Sequence, residues 1–364
     1  MNYILLFPKR ALIVFLFISL PVFSQFKPTF SLNHGPTLLP GGADFEQVGS
    51  RYIYQNVAKS SDGIAIDAIV TIVDKVNLEN GNSESFIIDS ALGLDNRFEP
   101  TVNTGPGDGY VEWRIEFVLD GTVLDAKDVG VKARLDPFVL EAIDVDGFEY
   151  FEAIVAGSYT IEGGNNPKTQ LVVSQNGKFT RFQSGIDFAA GIDVLSTQFI
   201  TRINYINVNT VVFRTGSSND STNRLNSISF LGEAVFNIED TVQVNTPPII
   251  KDNLCNLTQI NICFITNILD ATTDVNPNNT DLDISSVRLV DPHNPFNVGN
   301  INTPLVVPGV GEYLVDSLGV VTFQPVFGYL GDASILFSVD DYLGVSSNMA
   351  NLEITVFEVA TFKK

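Results

Sequence analysis

The apolar residues of this chain alternate position by position and almost never recur at helical spacing, which restricts the fold more than any other feature. From Tyr110 onward, Val111, Trp113, Ile115, Phe117 and Leu119 fall on one side and Glu112, Arg114 and Glu116 on the other. That is the pattern of a strand buried on one face. Ile64, Ile66, Ala68, Val70 and Ile72 form a second such run, and Ile69 and Val73, in the opposite phase, predict burial on both faces. The runs are separated by Asn80-Gly81, Gly105-Pro106-Gly107, Asp120-Gly121 and Asn176-Gly177, residues that accept positive φ or bond their own backbone. Many short alternating strands with this punctuation predict an all-β protein of antiparallel sandwiches.

The alternation lapses once, at Thr241 to Pro248, where Asn245-Thr246-Pro247-Pro248 reads as a stiff, extended spacer. Residues 25–240 are therefore expected to form a jelly-roll-like β-sandwich, residues 241–248 a short proline-containing linker, and residues 249–358 a second sandwich of Ig-like size. Residues 359–364 are read as a tail.

Residues 1–24 read as an export signal. Lys9 and Arg10 precede an apolar run from Ala11 to Phe23, and Val22 and Ser24 place small residues before a cut at Gln25. The run is short for a membrane span, which needs roughly 20 apolar residues. The expected mature protein is secreted, extracellular or held at the cell surface, with no membrane span. Its 42 acids against 21 bases give a net charge of -21, or -23 once Lys9 and Arg10 leave with the signal. Such a surface repels nucleic acid, because phosphate binding needs clustered Lys and Arg.

From Ser286 onward an ordered set of glycines and aromatics stands out. Val287-Arg288-Leu289-Val290-Asp291-Pro292 leads to Val307-Pro308-Gly309, Gly311, Tyr313, Val315 and Asp316. Gly319, Val321-Thr322-Phe323, Pro325, Gly328-Tyr329 and Gly331 follow, and Phe337, Val339, Asp341, Gly344, Ser347-Asn348, Ala350, Ile354 and Val356 close the run. This stretch, with the linker before it, resembles the CshA-type fibril repeat and the cadherin-like and Ig-like repeats of bacterial surface proteins. The resemblance covers about residues 245–356. It implies an Ig-like spacer that holds a binding head away from the cell, and so a non-enzymatic adhesin-type protein whose partners are cell-surface or matrix proteins or glycans. The first sandwich resembles, more loosely, those of flavobacterial-type secreted surface proteins.

Calcium is the one cofactor the residues argue for, since it takes six to eight oxygen ligands from flexible acidic loops. Asp270, Asp274, Asn276, Asn278, Asp281 and Asp283 crowd one loop, and Asp144 and Asp146 alternate before Gly147. Each group is also what an ordinary polar turn requires. Cys255 and Cys263 are symmetric about Gln259, so a hairpin centred there would put them opposite each other. Outside the cytoplasm such a pair forms a disulfide; the alternative is two reduced core cysteines. The motifs of serine hydrolases, metalloproteases and phosphate loops are missing, and an enzyme is not expected. The competing reading is a carbohydrate-binding protein that stacks sugars on the aromatics of the first sandwich, with Trp113, Tyr110, Tyr150, Tyr159 and Tyr205 as candidates. Trp113 is in phase with Val111 and Ile115, which favours the core. Tyr150 and Phe151 face opposite ways, so one of them is expected to point outward.

Overall fold

Both alternating runs become long strands, Gly109–Leu119 and Ala65–Val76. The computed structural model describes residues 26–60, 63–79, 86–185, 191–206, 208–218, 223–270, 272 and 282–359; the side chains of Cys255 and Asn223 and the signal segment lie outside this description. Among the described residues the only helical element is a single 3-10 turn, Thr197–Phe199, and no helix is long and apolar enough to cross a membrane. The protein is all-β.

The first sandwich packs an eight-stranded sheet against a five-stranded one. The larger sheet runs Thr37–Leu38, Arg51–Lys59, Ala65–Val76, Gly109–Leu119, Thr210–Ser217, Glu149–Ala153, Phe179–Gln183 and Val172–Asn176 in spatial order. The smaller runs Ser227–Ser229, Phe138–Ile143, Thr201–Tyr205, Gly157–Glu162 and Glu239–Gln243. With these strand numbers the domain is larger than the eight strands of a jelly roll. Val111, Trp113, Ile115, Phe117 and Leu119 all face the core, as their spacing predicts. Phe117 meets Phe138 of the opposite sheet edge-on at 5.3 Å, and Tyr159 meets Phe182 likewise at 5.1 Å. Ile69 is buried on the other face, in a small cluster with Leu39, Ile53, Val118 and Val123.

The last strand of the five-stranded sheet, Glu239–Gln243, corrects the expected boundary. Thr241, assigned to the linker by its lack of alternation, pairs with Thr160, and its hydroxyl lies 2.8 Å from that of Thr160. This strand sits at the sheet edge and is exposed along its whole length, so no apolar face marks it in sequence.

The second sandwich has a five-stranded sheet in the order Asn253–Gln259, Ala350–Phe357, Gly331–Asp341, Leu282–Asp291 and Asn294–Asn300. It faces a four-stranded sheet of Phe264–Asn267, Val320–Pro325, Gly311–Val315 and Leu305–Val307. The division is Ig-like: the chain crosses repeatedly between two layers of similar width, antiparallel except where Asn253–Gln259 runs parallel to Ala350–Phe357. Val321, Phe323, Phe337 and Val339 are fully buried between the sheets, and Tyr313 stacks on Phe323 at 4.5 Å.

The two cores are separate except at one loop. Val345 of the second sandwich is fully buried in the first core, with Leu343 and Val244 packed beside it. Polar bonds surround this plug. Asn245 Nδ2 donates to Asp341 Oδ2 at 2.8 Å, and Asn209 Nδ2 to Ser346 Oγ at 3.1 Å. Arg134 donates to the Ser347 carbonyl at 2.6 Å and to Ser338 Oγ. Arg288 donates back to the Lys132 carbonyl at 2.6 Å. An apolar plug ringed by bonds to buried groups ties the domains more firmly than a proline linker alone.

Candidate functional site

The strand Phe138–Ile143 ends at Asp144, which takes a left-handed conformation at φ 63°; Gly147 does the same at φ 60° and completes the turn. Asp144 and Asp146 are both brought into the turn and buried. Asp144 Oδ2 accepts the Asp193 N–H at 3.2 Å, and its Oδ1 is buried with no partner among the described residues. Burial, and then the charge of Asp146, push the Asp144 carboxyl up to about 7, against the pull of the Asp193 N–H. The Asp193 carboxylate itself is engaged locally, accepting from Ser196 Oγ at 2.6 Å and from the Leu195 N–H at 2.9 Å. Among the described residues no group of three or more His, Cys, Asp or Glu side chains stands close enough to hold a metal. A cation at this turn would draw further oxygens from backbone or water.

The second acidic loop is described only at its ends. Asp270 is exposed. Asp283 Oδ1 accepts both the N–H of Ser285 at 3.0 Å and its hydroxyl at 2.5 Å, a local turn role. Asp274, Asn276, Asn278 and Asp281 lie outside the described residues.

The hairpin expected around Gln259 does not form. Asn253–Gln259 pairs in parallel with Ala350–Phe357, whereas Phe264–Asn267 pairs with Val320–Pro325 in the other sheet. The chain arches from one layer to the next, so the strands flanking Gln259 are not neighbours, and Cys263 is a free, exposed thiol.

The aromatics considered for sugar stacking are occupied elsewhere. Trp113 is fully buried and its indole N–H donates to Thr215 Oγ1 at 2.9 Å. Tyr205 is buried with its hydroxyl on the Ile154 carbonyl at 3.2 Å. Tyr159 packs on the core beside Phe182. Tyr150 and Phe151 face opposite ways as expected, yet both are buried. The reason is Arg181, whose guanidinium lies 3.8 Å from the centre of the Tyr150 ring and roofs it. Tyr110 is half-buried under Arg214, at 4.3 Å.

Those two arginines belong to a row that the sequence does not announce. Strand register sets Glu112 opposite Arg214, Arg214 opposite Glu152, and Glu152 opposite Arg181. Glu152 is fully buried. Its Oε1 accepts from Arg181 Nε at 2.6 Å and Asn176 Nδ2 at 2.8 Å, and its Oε2 from Arg214 Nη1 at 3.1 Å. Arg214 Nε donates to Glu112 at 2.8 Å, and Arg181 Nη1 to Asp108 at 3.0 Å. On the five-stranded sheet two more buried carboxylates act as backbone caps. Glu141 accepts the N–H groups of Glu233 and Ala234. Burial alone would raise the carboxyl of Glu162, but donors from Thr197, Asn237, Ile238 and Gly164 outweigh it and hold the group at about 2. The buried acids of the first sandwich are thus largely structural.

No protein-family model and no curated protein matches the chain. Among solved structures it is similar to the N-terminal domain of the Streptococcus gordonii adhesin Sgo0707, with a TM-score of 0.34 and 11% identity over 91% of this chain and 96% of that one. It is also similar to the eight N-terminal Ig domains of Down syndrome cell adhesion molecule, with a TM-score of 0.21 and 10% identity over 82% of this chain and 28% of that one. A third similarity is to the endo-fucoidan hydrolase MfFcnA4 of glycoside hydrolase family 107, at TM-score 0.21 and 11% identity, covering 93% of this chain and 45% of that one. At these scores none of the three carries an argument about function.

Proposed function

We propose that the chain is a non-enzymatic, extracellular adhesin-type protein in which an Ig-like sandwich presents a larger sandwich head to cell-surface or matrix proteins or glycans. The observation that carries this reading is the joint: Val345 fills a socket in the head, and bonds from Arg134, Asn209 and Asn245 brace it. A spacer that holds a head at fixed orientation needs such a joint, whereas a flexible tether does not. The resemblance of residues 245–356 to fibril repeats points the same way. The alternative built on sugar-stacking aromatics loses its candidates to the core and to the arginine roof.

The test is retention under flow. Beads coated with the mature chain should be held on layers of surface glycan or matrix protein at least roughly tenfold better than albumin-coated beads, many weak bonds acting together on each bead. Val345→Ser should reduce retention without abolishing folding of the head. Equal retention of coated and albumin beads on every layer would reject the adhesin reading.

Calcium at Asp144 and Asp146 is part of the proposal. A cation would supply the missing partner of Asp144 Oδ1 and relieve the crowding of charge in that turn. In millimolar calcium the melting temperature is expected to rise by a few degrees over that in chelator, since a bound ligand stabilises the folded state by mass action. Identical melts remove the metal.

A further inference from the structure

The joint also encloses a cleft of about 430 Å3, and its lining is unusual for so acidic a chain. The head contributes Lys132 and Arg134, and the second sandwich contributes Arg288 and Asp340 beside a rim of Ser and Asn side chains. Asp340 is the one carboxylate among these residues, against three cationic side chains. Two of the positive groups are already engaged. Lys132 is paired with Glu116, and the two terminal nitrogens of Arg134 bond Ser347 and Ser338.

Arg288 is different. Only its Nη1 is used, on the Lys132 carbonyl, and its Nε and Nη2 have no protein partner among the described residues. Asp340 does not neutralise it by contact: Asp340 Oδ1 accepts the Ser346 hydroxyl at 2.5 Å instead. Arg134 Nε, nearby, is buried without a partner as well. Burial, and then the adjacent Arg134 charge, lower the Arg288 guanidinium to about 10, as expected where two cations share a pocket short of anions. A guanidinium edge with two free parallel N–H groups is shaped for bidentate capture of a carboxylate. Around it the hydroxyl hydrogens of Ser285, Ser286 and Thr210 are used within the protein, so these groups offer acceptors and the side-chain amides of Asn300 and Asn302 offer donors to a polyhydroxylated ligand. The volume lies in the range of small-molecule sites.

We propose that the cleft between the two sandwiches binds an acidic sugar of the hexuronate class, its carboxylate on Arg288 and its hydroxyls on the surrounding Ser, Thr and Asn side chains. The site would give the adhesin its glycan specificity. It depends on the adhesin reading for that setting alone. A chain that binds uronate yet retains no beads fails as an adhesin, and one that retains beads without binding uronate fails at this site.

The test uses the mature full chain and saturation-transfer NMR with glucuronate, glucose and the peptide acetyl-Gly-Gly as probes. Glucuronate should bind and glucose should not. Arg288→Gln should weaken binding by roughly ten- to a hundredfold, the loss of a charge-assisted bond. Arg288→Lys, which keeps the charge but not the fork, should weaken it by roughly tenfold, with the melting temperature recorded for both variants. A glucuronate tetramer distinguishes the source: binding of monomer and tetramer points to the end of a polysaccharide, and binding of monomer alone to a free sugar acid. Glucose binding as tightly as glucuronate, preference for the peptide carboxylate, or undiminished glucuronate binding by a folded Arg288→Lys protein would each overturn the site.

Discussion

Glu152→Ala is expected to remove about 3 to 5 kcal/mol of stability from the head, because it deletes the shared partner of two half-buried guanidiniums. Glu152 is fully buried between Arg181 and Arg214, at 2.6 and 3.1 Å. With the carboxylate gone, both positive groups keep their desolvation cost: Arg181 loses its closest partner, Arg214 loses one of two and keeps Glu112, and the Asn176 amide loses its acceptor. Glu152→Gln keeps an acceptor but no charge, so about half the loss is expected. Glu239→Ala serves as the contrast. That carboxylate pairs with Arg202 at 3.3 Å while 58% exposed, and solvent-exposed pairs are worth about 0 to 1 kcal/mol. Trp113, the chain's single tryptophan, lies in the head core, so its fluorescence in a urea titration reports this domain. A midpoint shift at constant slope measures the change. A Glu152→Ala loss under about 1 kcal/mol would mean the row is decoration on a sheet held by its core.

That row marks the limit of what the sequence discloses. The inward faces were legible, because alternation within one strand is local: Trp113 and Phe117 in the head, and Phe323 and Phe337 in the second sandwich, are buried as their phase requires. Register between strands is not local. Nothing in the segment Glu112-Trp113-Arg114 indicates that Arg214 will lie across from Glu112 and Glu152 on its other side. The same blindness hid Arg181 over Tyr150, and it hid the insertion of Val345 into a core whose strands lie more than a hundred residues earlier. Edge strands were missed for another reason. Asn294–Asn300 contains Pro295, which breaks a strand pattern, yet it sits at a sheet edge, where a missing N–H is tolerated. The cysteine symmetry about Gln259 failed because an arch between sheets and a hairpin within one share the same local turn chemistry. The turn at Asp144 was legible as an acidic corner. Its burial and the unpartnered Oδ1 were not, since both depend on Asp193 and on the packing of distant loops.

In chelator, the head should become more stable on acidification from pH 8 to pH 5, by roughly 2 to 5 kcal/mol, the upper figure being the full linkage effect of two such carboxyls. Two carboxyls carry the largest part of the effect, and Glu46, Asp67 and Glu99, also raised by burial, add in the same sense. Burial raises Asp89 to about 7 despite hydrogen bonds from Tyr54 and the Glu99 N–H, with the charges of Glu99 and Asp95 adding to it. Asp144 is raised to about 7 by burial and by Asp146. An unfolded aspartate titrates at roughly 3.9, so between these limits the folded state holds protons that the unfolded chain has released. Unfolding then releases protons, and stability falls as pH rises through that window, with the full penalty present above about 7. Glu162 works in the opposite sense but in a different range. Held at about 2, it stabilises fully above its unfolded value of roughly 4.5 and loses that contribution only as pH falls toward 2. The optimum is therefore expected near pH 5, above the acid loss and below the ionisation of Asp89 and Asp144. Asp89→Asn and Asp144→Asn should each flatten the slope between pH 5 and 8, and the double variant should remove most of it. Tryptophan-monitored urea midpoints across that range decide the matter: a flat or rising profile, or one unchanged in the double variant, would show that neither carboxyl is shielded from water as the packing around it requires.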